Sequence, residues 1–346
     1  EAYIAGGKGS RVTGKSVDIL ATGTTTVRAK GSVPTVSITL ASGNSVELTA
    51  SAGKGTNGKI TKAYIGSGSE VYSVGEGDTD DINVKAESLI DIEAKVNTST
   101  KVSGANLGLY KVATYTGKTD TQAYINGTAE SYNDINVAAT DLIKAVTDIG
   151  LLNAGIVNGG SSTVTNTVNS QNVSVGFGNN SKVKAWRNVS ARAKSKLDLY
   201  SRVQDSGYGL GTNCSATAAN TVTRNVSATV GNGAAITAVV GNIEILSEGD
   251  EDSSIESIAK GSSGAAYAGG GPSANITYTS NVTTTVGGGS DIEAKYGTLD
   301  IRSKEAMTMY AYAYRKASAA VASNKSTAKI TATTNVSTKI AEKTTD

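Results

Sequence analysis

The sequence has no histidine, one cysteine (Cys214), two prolines and one tryptophan in 346 residues. Without histidine the chain cannot form histidine-based catalytic triads, histidine metal sites or histidine proton switches. A single cysteine excludes an intrachain disulfide and a cysteine metal cluster. The low proline content argues against collagen and proline-rich coils. We expect no cofactor.

Charge and hydrophobicity exclude further classes of protein. The 32 Lys+Arg residues nearly balance the 30 Asp+Glu residues, so charge gives no reason to expect nucleic acid or an anionic membrane as a partner. The most apolar stretch, 148–157, is short and broken by Gly and Asn, and we expect no membrane span. No signal peptide is recognisable, and we expect the chain to be a segment of a longer one.

A short tract of alternating apolar and polar residues recurs six times. Each copy has the form apolar-x-apolar-x-small, and consecutive copies start 65, 53, 54, 54 and 56 residues apart. The six starting residues are Val17, Ile82, Ile135, Val189, Ile243 and Leu299. Alternation of period two predicts strands. A recurring period of this length predicts a repeat architecture.

A second tract of the same kind follows most copies after eight residues. Ile90 follows Ile82 in this way, and Leu197 follows Val189. The copy at Ile243 departs from the rule, because the acidic run 248–254 intervenes before Ile255. The three residues between tracts are too few for a crossover helix, and we interpret them as corners. Strands and corners with apolar inward faces predict an all-β fold, a parallel β-helix (β-solenoid) in the form of an elongated rod.

The repeat suggests dimensions for this fold. We expect a single β-solenoid over 1–346 with about six repeats of about 54 residues. A coil of roughly 20 residues would place two or three coils in each repeat. Some 15 to 18 coils, stacked about 4.8 Å apart, would make a rod roughly 70–90 Å long. Disorder and a globular β-sandwich or propeller are the alternatives, and the shared phase of the repeats disfavours them.

The stretches between the regular tracts are rich in Gly, Ser and Thr. We expect 99–122, 147–174, 204–229 and 259–285 to form further strands with looser loops. Segment 147–160 could instead be a short helix or an apolar plug, although its glycines weaken that interpretation.

Two acidic runs could carry chemistry. The first contains Asp78, Asp80 and Asp81, and the second contains Asp250 and Asp252. Closely spaced carboxylates can hold Ca²⁺ or act in acid–base catalysis. Neither run matches the calcium-binding nonapeptide or an EF-hand loop, so we expect solvated turns. Calcium binding stays open as an alternative, as does a polysaccharide-cleaving site that uses Asp78, Asp80 or Asp250.

Aromatic residues mark one candidate contact surface. If Met309 and Ala311 point inward, then Tyr310, Tyr312 and Tyr314 form an outward strip suited to sugar or protein contact. A helix over 304–323 is the alternative, and packing of the strip under a loop or a neighbouring rod would leave it without a binding role. We expect Trp186 to be a packing residue at a corner or loop root. We expect Cys214 to be an inert thiol in a loop.

The residues of one repeat resemble a known family. The arrangement AYIGSGSEV (63–71) followed by DINVKAESLIDIEAK (81–95) resembles the passenger repeats of large bacterial exoproteins of the filamentous haemagglutinin type. It looks most like the leukotoxin-type filamentous adhesins of anaerobic diderm bacteria. The resemblance implies a right-handed parallel β-helix that is secreted, displayed on a bacterial cell surface and active as an adhesin or structural fibre.

We therefore expect a non-enzymatic extracellular protein. Its expected partners are a host or neighbouring-cell surface, through protein or glycan, or further copies of itself joined end to end. A self-assembling filament subunit is the first alternative, because an open solenoid end exposes unpaired strand edges. A polysaccharide-cleaving β-helix is the second.

Overall fold

The computed structural model describes residues 1–7, 10–32, 35–37, 41–53, 58–75, 77, 80–102, 105–323 and 325–341. Every regular element within these ranges is a β-strand. The strands stack in parallel from one repeat to the next, as the alternating tracts predict. The fold is therefore all-β, a parallel β-solenoid.

The strands form three parallel sheets, here called A, B and C. Sheet A comprises Ala2–Ile4, Ala41–Ala52, Lys59–Ile65, Ala105–Ile125, Val157–Phe177, Gly211–Val230, Tyr267–Gly269, Ser273–Val286, Val321–Ala322 and Thr327–Ile340. Sheet B comprises Arg11–Gly14, Glu70–Ser73, Thr128–Ser131, Lys182–Ala185, Ala235–Ala238 and Asp291–Ala294. Sheet C comprises Val17–Ser32, Thr35–Ser37, Ile82–Val102, Ile135–Ala154, Val189–Tyr208, Ile243–Gly249, Ser254–Gly264, Leu299–Lys304 and Thr308–Ser318.

One coil of the solenoid takes one whole repeat. The chain passes through sheets C, A and B in turn, and Ile135 then pairs with Val189, 54 residues further on. The expected coil of roughly 20 residues, and with it the count of 15 to 18 coils, is therefore wrong. Six coils at a spacing of about 4.8 Å make a stack about 29 Å tall, so the expected rod length of roughly 70–90 Å is wrong as well.

The expected corner between paired tracts is absent from the first four coils of sheet C, where each pair lies within one continuous strand, whereas loops interrupt the strand at 250–253 and 305–307 in the last two coils. Thr22, Gly23 and Thr24 lie within the continuous strand Val17–Ser32. A separation of eight residues is even, so Ile135 and Ile143 stay on the same face of one strand and both are buried. A strand of 20 residues extends about 66 Å when straight, so each coil is wide.

Irregular spacing between repeats is absorbed in loops, while the stacking continues. The loop at 250–253 interrupts sheet C in the fifth coil and accounts for the departure of the copy at Ile243. Pairing resumes beyond the loop, where Leu199 is in register with Ile255.

The six recurring tracts stack in one column, as the repeat predicts. Val17, Ile82, Ile135, Val189 and Ile243 are buried in a single apolar cluster formed with sheets A and B. Leu299 is in register with Ile243 but is 47% exposed, because it lies on the last coil of sheet C. A second apolar cluster fills the wider part of the interior, between sheets A and C.

The interior is not uniformly apolar, in contrast to the expected apolar inward face. A polar seam separates the two clusters and contains Asp141, Gln171, Ser195 and Arg224, all fully buried. Thr119 donates a hydrogen bond to Asp141 Oδ2 at 2.6 Å, and Ser195 donates one to Gln171 Oε1 at 2.7 Å. Buried polar groups must find partners, so the seam favours one alignment of the coils.

The remaining predictions concern the secondary structure of the Gly/Ser/Thr-rich stretches and of the two segments for which a helix was an alternative. The Gly/Ser/Thr-rich stretches form strands of sheets A and C in their described parts, as predicted. The helical alternatives are wrong: 147–160 belongs to the strands Ile135–Ala154 and Val157–Phe177, and strand Thr308–Ser318 occupies the middle of 304–323. Alternating burial along these strands shows that their apolar residues follow period two.

Candidate functional site: a groove along one corner

Large side chains are exposed where each coil turns from sheet B into sheet C. Val74, Tyr132, Trp186, Val239 and Lys295 each follow a sheet B strand directly, one per coil. Tyr132 is 59% exposed and Trp186 is 52% exposed, while Val239 is half-buried. We call these five residues the corner column.

Backbone hydrogen bonds between coils hold the corner column in line. The Trp186 N–H donates to the Ser131 carbonyl at 2.9 Å, and the Val239 N–H donates to the Ala185 carbonyl at 3.0 Å. The Lys295 N–H donates to the Ala238 carbonyl in the same way. The spacing of the column is therefore that of stacked strands, about 4.8 Å per coil.

A ladder of side-chain caps fixes the turn that follows the column. Asp134 Oδ1 accepts the Asn188 N–H at 2.9 Å, Asn188 Oδ1 accepts the Asn242 N–H at 2.8 Å, and Asn242 Oδ1 accepts the Thr298 N–H at 2.8 Å. Short polar side chains commonly satisfy backbone groups in turns. This ladder joins the residues that directly precede the sheet C strands of successive coils, and it so stiffens the turn behind the corner column.

The corner column forms one wall of a groove of about 530 Å³. The other wall consists of outward residues of sheet B, namely Tyr72, Glu130 and Lys184, which are in register with one another. From Val74 to Lys295 the groove crosses four steps of the stack, about 19 Å. It joins aromatic faces, two ammonium groups and a carboxylate in one elongated depression.

Tyr72 lies at the edge of this groove beside a cation. The Arg11 guanidinium lies 4.5 Å from the centre of the Tyr72 ring, a cation–π contact. Partial loss of hydration, together with the carboxylates of Glu70 and Glu130, raises the pKa of the Tyr72 hydroxyl. The phenol is therefore neutral at physiological pH and can donate or accept a hydrogen bond.

The tyrosine strip lies on the outside of sheet C in the last coil. The rings of Tyr310 and Tyr312 stack with centres 6.1 Å apart, and those of Tyr312 and Tyr314 stack at 6.2 Å. Met309 and Ala311 pack against the second apolar cluster on the other face of the strand. The strip is thus a flat aromatic surface, separate from the corner groove.

The second acidic run is paired with cations of neighbouring coils. Asp250 lies 3.1 Å from Lys194, and Asp252 lies 3.3 Å from Lys196. The Lys304 ammonium lies 3.0 Å from Glu251. The carboxylates therefore take part in a charge-compensated network in which Asp250 is buried and Glu251 and Asp252 are exposed.

The first acidic run lies in a different turn, and its described side chains accept hydrogen bonds from backbone N–H groups. Asp80 Oδ2 accepts the Gly77 N–H at 2.8 Å, and Asp81 Oδ1 accepts the Asp134 N–H at 3.2 Å as the first rung of the corner ladder. Asp78 lies outside the described residues. Asp80 and Asp250 are three coils apart, about 14 Å along the stack alone, so they do not share one site. The described part of the chain holds no cluster of three or more His, Cys, Asp or Glu side chains suited to a metal ion.

Trp186 lies at a corner between two strands, as predicted, whereas Cys214 lies in a different kind of element from the one expected. Trp186 is 52% exposed and lines the groove, so its side chain is not packed into the core as expected. Cys214 lies in strand Gly211–Val230 and not in a loop, and its side chain is buried. Burial, with the nearby Asp205 carboxylate, raises the pKa of the Cys214 thiol to about 12, which keeps the thiol protonated and unreactive.

Sequence reasoning missed the corner column because period-two alternation ends at the turn. A signal was nevertheless present: Tyr132 and Trp186 each stand three residues before a core tract, and Asp134 and Asn188 stand directly before it. A polar capping residue two positions after an aromatic residue, present in these two neighbouring copies, predicts a shared turn with one side chain outward.

Comparison with protein-family models, with curated proteins and with solved structures finds no match. Within the described residues there is no helix that is both long and apolar enough to cross a membrane.

Proposed function

We propose that the chain is a non-enzymatic, extracellular structural adhesin of a bacterial cell surface, and that the corner groove is its contact site. The observation that carries this proposal is the line of exposed aromatic and apolar side chains along the groove, one per coil, on a rigid frame. Exposed Trp and Tyr are enriched at contact sites because they offer a large apolar area and a polar tip. The partner is a protein or glycan on a host or neighbouring cell. The resemblance to filamentous haemagglutinin-type exoproteins points to the same role.

The placement of the acidic residues supports adhesion over polysaccharide cleavage. Hydrolysis of a glycosidic bond uses two carboxyl groups that flank the bond, at separations of roughly 5 to 9.5 Å. Asp80 and Asp250 lie on turns three coils apart, and Asp250 is held by Lys194. Removal of Asp250 should therefore leave any glycan-binding property of the groove unchanged.

Binding of the purified, fluorescently labelled chain to bacterial and epithelial cells tests the proposal. We expect saturable binding that Trp186→Ala reduces at least fivefold. Tyr208→Ala is the matched control, because Tyr208 is also 52% exposed but lies at the opposite edge of the coil, at the end of strand Val189–Tyr208. Binding that is absent, or equal for wild type and Trp186→Ala, would refute the groove as an adhesive surface.

The last coil favours a second candidate function, end-to-end assembly into a filament. Among the described residues, strand Thr327–Ile340 pairs only with Ser273–Val286, and its residues Ile330, Val336 and Ile340 are exposed. An unpaired strand edge with apolar side chains is a template for another strand. Sedimentation velocity over a hundredfold concentration range should then show association that Val336→Lys abolishes, and a monodisperse monomer at the highest concentration would rule it out.

A further inference from the structure

We infer that the corner groove binds a linear, uncharged polysaccharide laid along the stack, with its sugar rings against Tyr132 and Trp186. This inference deepens the proposed function and rests on it. The groove matches the two kinds of surface on a pyranose ring. Its aromatic faces can pack against the apolar C–H face of the sugar, and its polar groups can bond to the sugar hydroxyls. Lys184 supplies donors, Glu130 supplies an acceptor, and the Tyr132 hydroxyl supplies both.

The shape of the groove favours a long ligand over a compact one. The corner column and the facing sheet B residues run in parallel through successive coils, because both follow the stacking of strands. The resulting depression is about 19 Å long and repeats its wall about every 4.8 Å. A polymer of similar rings can contact the groove wall at several coils, whereas a single small molecule would contact it at one.

The backbone at this corner disfavours an extended peptide as the occupant. Peptides commonly add as a strand to free N–H and C=O groups of a sheet edge. Here the N–H groups of Val74, Trp186 and Val239 already donate to carbonyls of the preceding coil. Recognition must therefore proceed through side chains, which suits the hydroxyl-rich, ring-shaped units of a glycan.

Charge disfavours a nucleic acid or a strongly anionic glycan. The groove is lined by Lys184, Lys295 and Glu130, and Glu293 lies 3.9 Å from Lys295. With Arg11 and Glu70 at the edge beside Tyr72, three positive and three negative groups leave no net charge for a run of phosphates or sulfates, whose binding depends on a cluster of cations. The balance fits a neutral chain that forms hydrogen bonds.

Trp186 is the single tryptophan of the sequence, so tryptophan fluorescence reports on ligand binding in the groove. We would titrate the chain with cellohexaose and with chitohexaose and follow the emission of Trp186. The expected result is a saturable change with at least one hexaose and none with the oligonucleotide dT12. Tyr132→Ala should weaken the apparent affinity at least fivefold, while Tyr208→Ala, remote from the groove, should leave it unchanged.

Two outcomes would overturn the inference: no saturable change with either hexaose at millimolar concentration, or a change that Tyr132→Ala does not affect. A response to dT12 equal to that of the hexaoses would assign the groove to nucleic acid instead. The cell-binding assay separates this inference from the proposed function. If cell binding depends on Trp186 while neither hexaose binds, the proposal that the groove is adhesive survives and the inference that its ligand is a neutral polysaccharide is wrong.

Discussion

Asp141 should make the stability of the fold fall as pH rises. Its side chain is fully buried in the polar seam, and burial raises its pKa from 3.8 to about 6, against the opposing hydrogen bond from Thr119 and the charge of Lys59. The folded chain thus holds this proton more tightly than the unfolded chain. The stabilisation is complete below the unfolded pKa and is lost as pH rises through about 6.

The size of the effect follows from the pKa values. One pKa unit corresponds to about 1.4 kcal/mol, so the change from 3.8 to about 6 is worth about 3 kcal/mol of unfolding free energy in full, of which about 2 kcal/mol is lost between pH 4.5 and pH 7.5. Burial raises the pKa of Asp205 to about 6 as well. Asp205 pairs with Leu151, ten residues along the sheet from Asp141, so the two contributions should add.

Urea denaturation followed by circular dichroism, repeated from pH 4.5 to pH 7.5, measures this slope. We expect Asp141→Asn to remove about half of the loss seen in the wild type, because the amide cannot titrate. Asp198→Asn, a half-exposed carboxylate on the outer face of the same sheet, is the control and should keep the full slope. An unchanged slope in Asp141→Asn would show that Asp141 does not carry a proton in the fold near pH 5.

Two further substitutions test the interior. Glu305→Ala would leave the fully buried guanidinium of Arg224 without its ion-pair partner and should cost about 3 to 5 kcal/mol of unfolding free energy. Glu293→Ala, the control at an exposed ion pair, should change the unfolding free energy by less than about 1 kcal/mol. Equal effects of the two substitutions would contradict the buried pair. Gly249→Ala would place a methyl group against Arg224 and should cost about 1 to 3 kcal/mol of unfolding free energy in the same assay. Gly211→Ala is the control and should be tolerated, because the space at its Cβ is open. A larger loss of stability for Gly211→Ala than for Gly249→Ala would contradict the described seam.

The sequence was sufficient to predict the stacking of repeats. Alternating tracts at near-constant spacing specify both the inward face and the register, and Ile82, Ile135 and Val189 accordingly lie in one column. Coil length could not be obtained in the same way. An eight-residue interval between tracts fits a straight strand as well as two strands with a corner, because both keep the apolar residues on one side.

The interior polar seam and the exposed corner depend on contacts between residues far apart in sequence. Arg224 and Glu305 are 81 residues apart, and nothing in either local pattern marks them as partners. The place of Trp186 between two strands predicts its corner position, but it does not show how much of the side chain the corner exposes. Its position after a four-residue strand, Lys182–Ala185, turns its side chain away from the core.

Cross-linking between adjacent coils tests the 54-residue coil most directly, and the proposed groove depends on that coil. Asn136 and Ser190 are in register on the outer face of sheet C. Their Cα atoms are therefore about 4.8 Å apart, within the range that a disulfide spans. Under mild oxidation, Asn136→Cys/Ser190→Cys should form an intramolecular disulfide, whereas the off-register pair Asn136→Cys/Arg192→Cys should not. Preferential cross-linking of the off-register pair, or none in either, would contradict the coil.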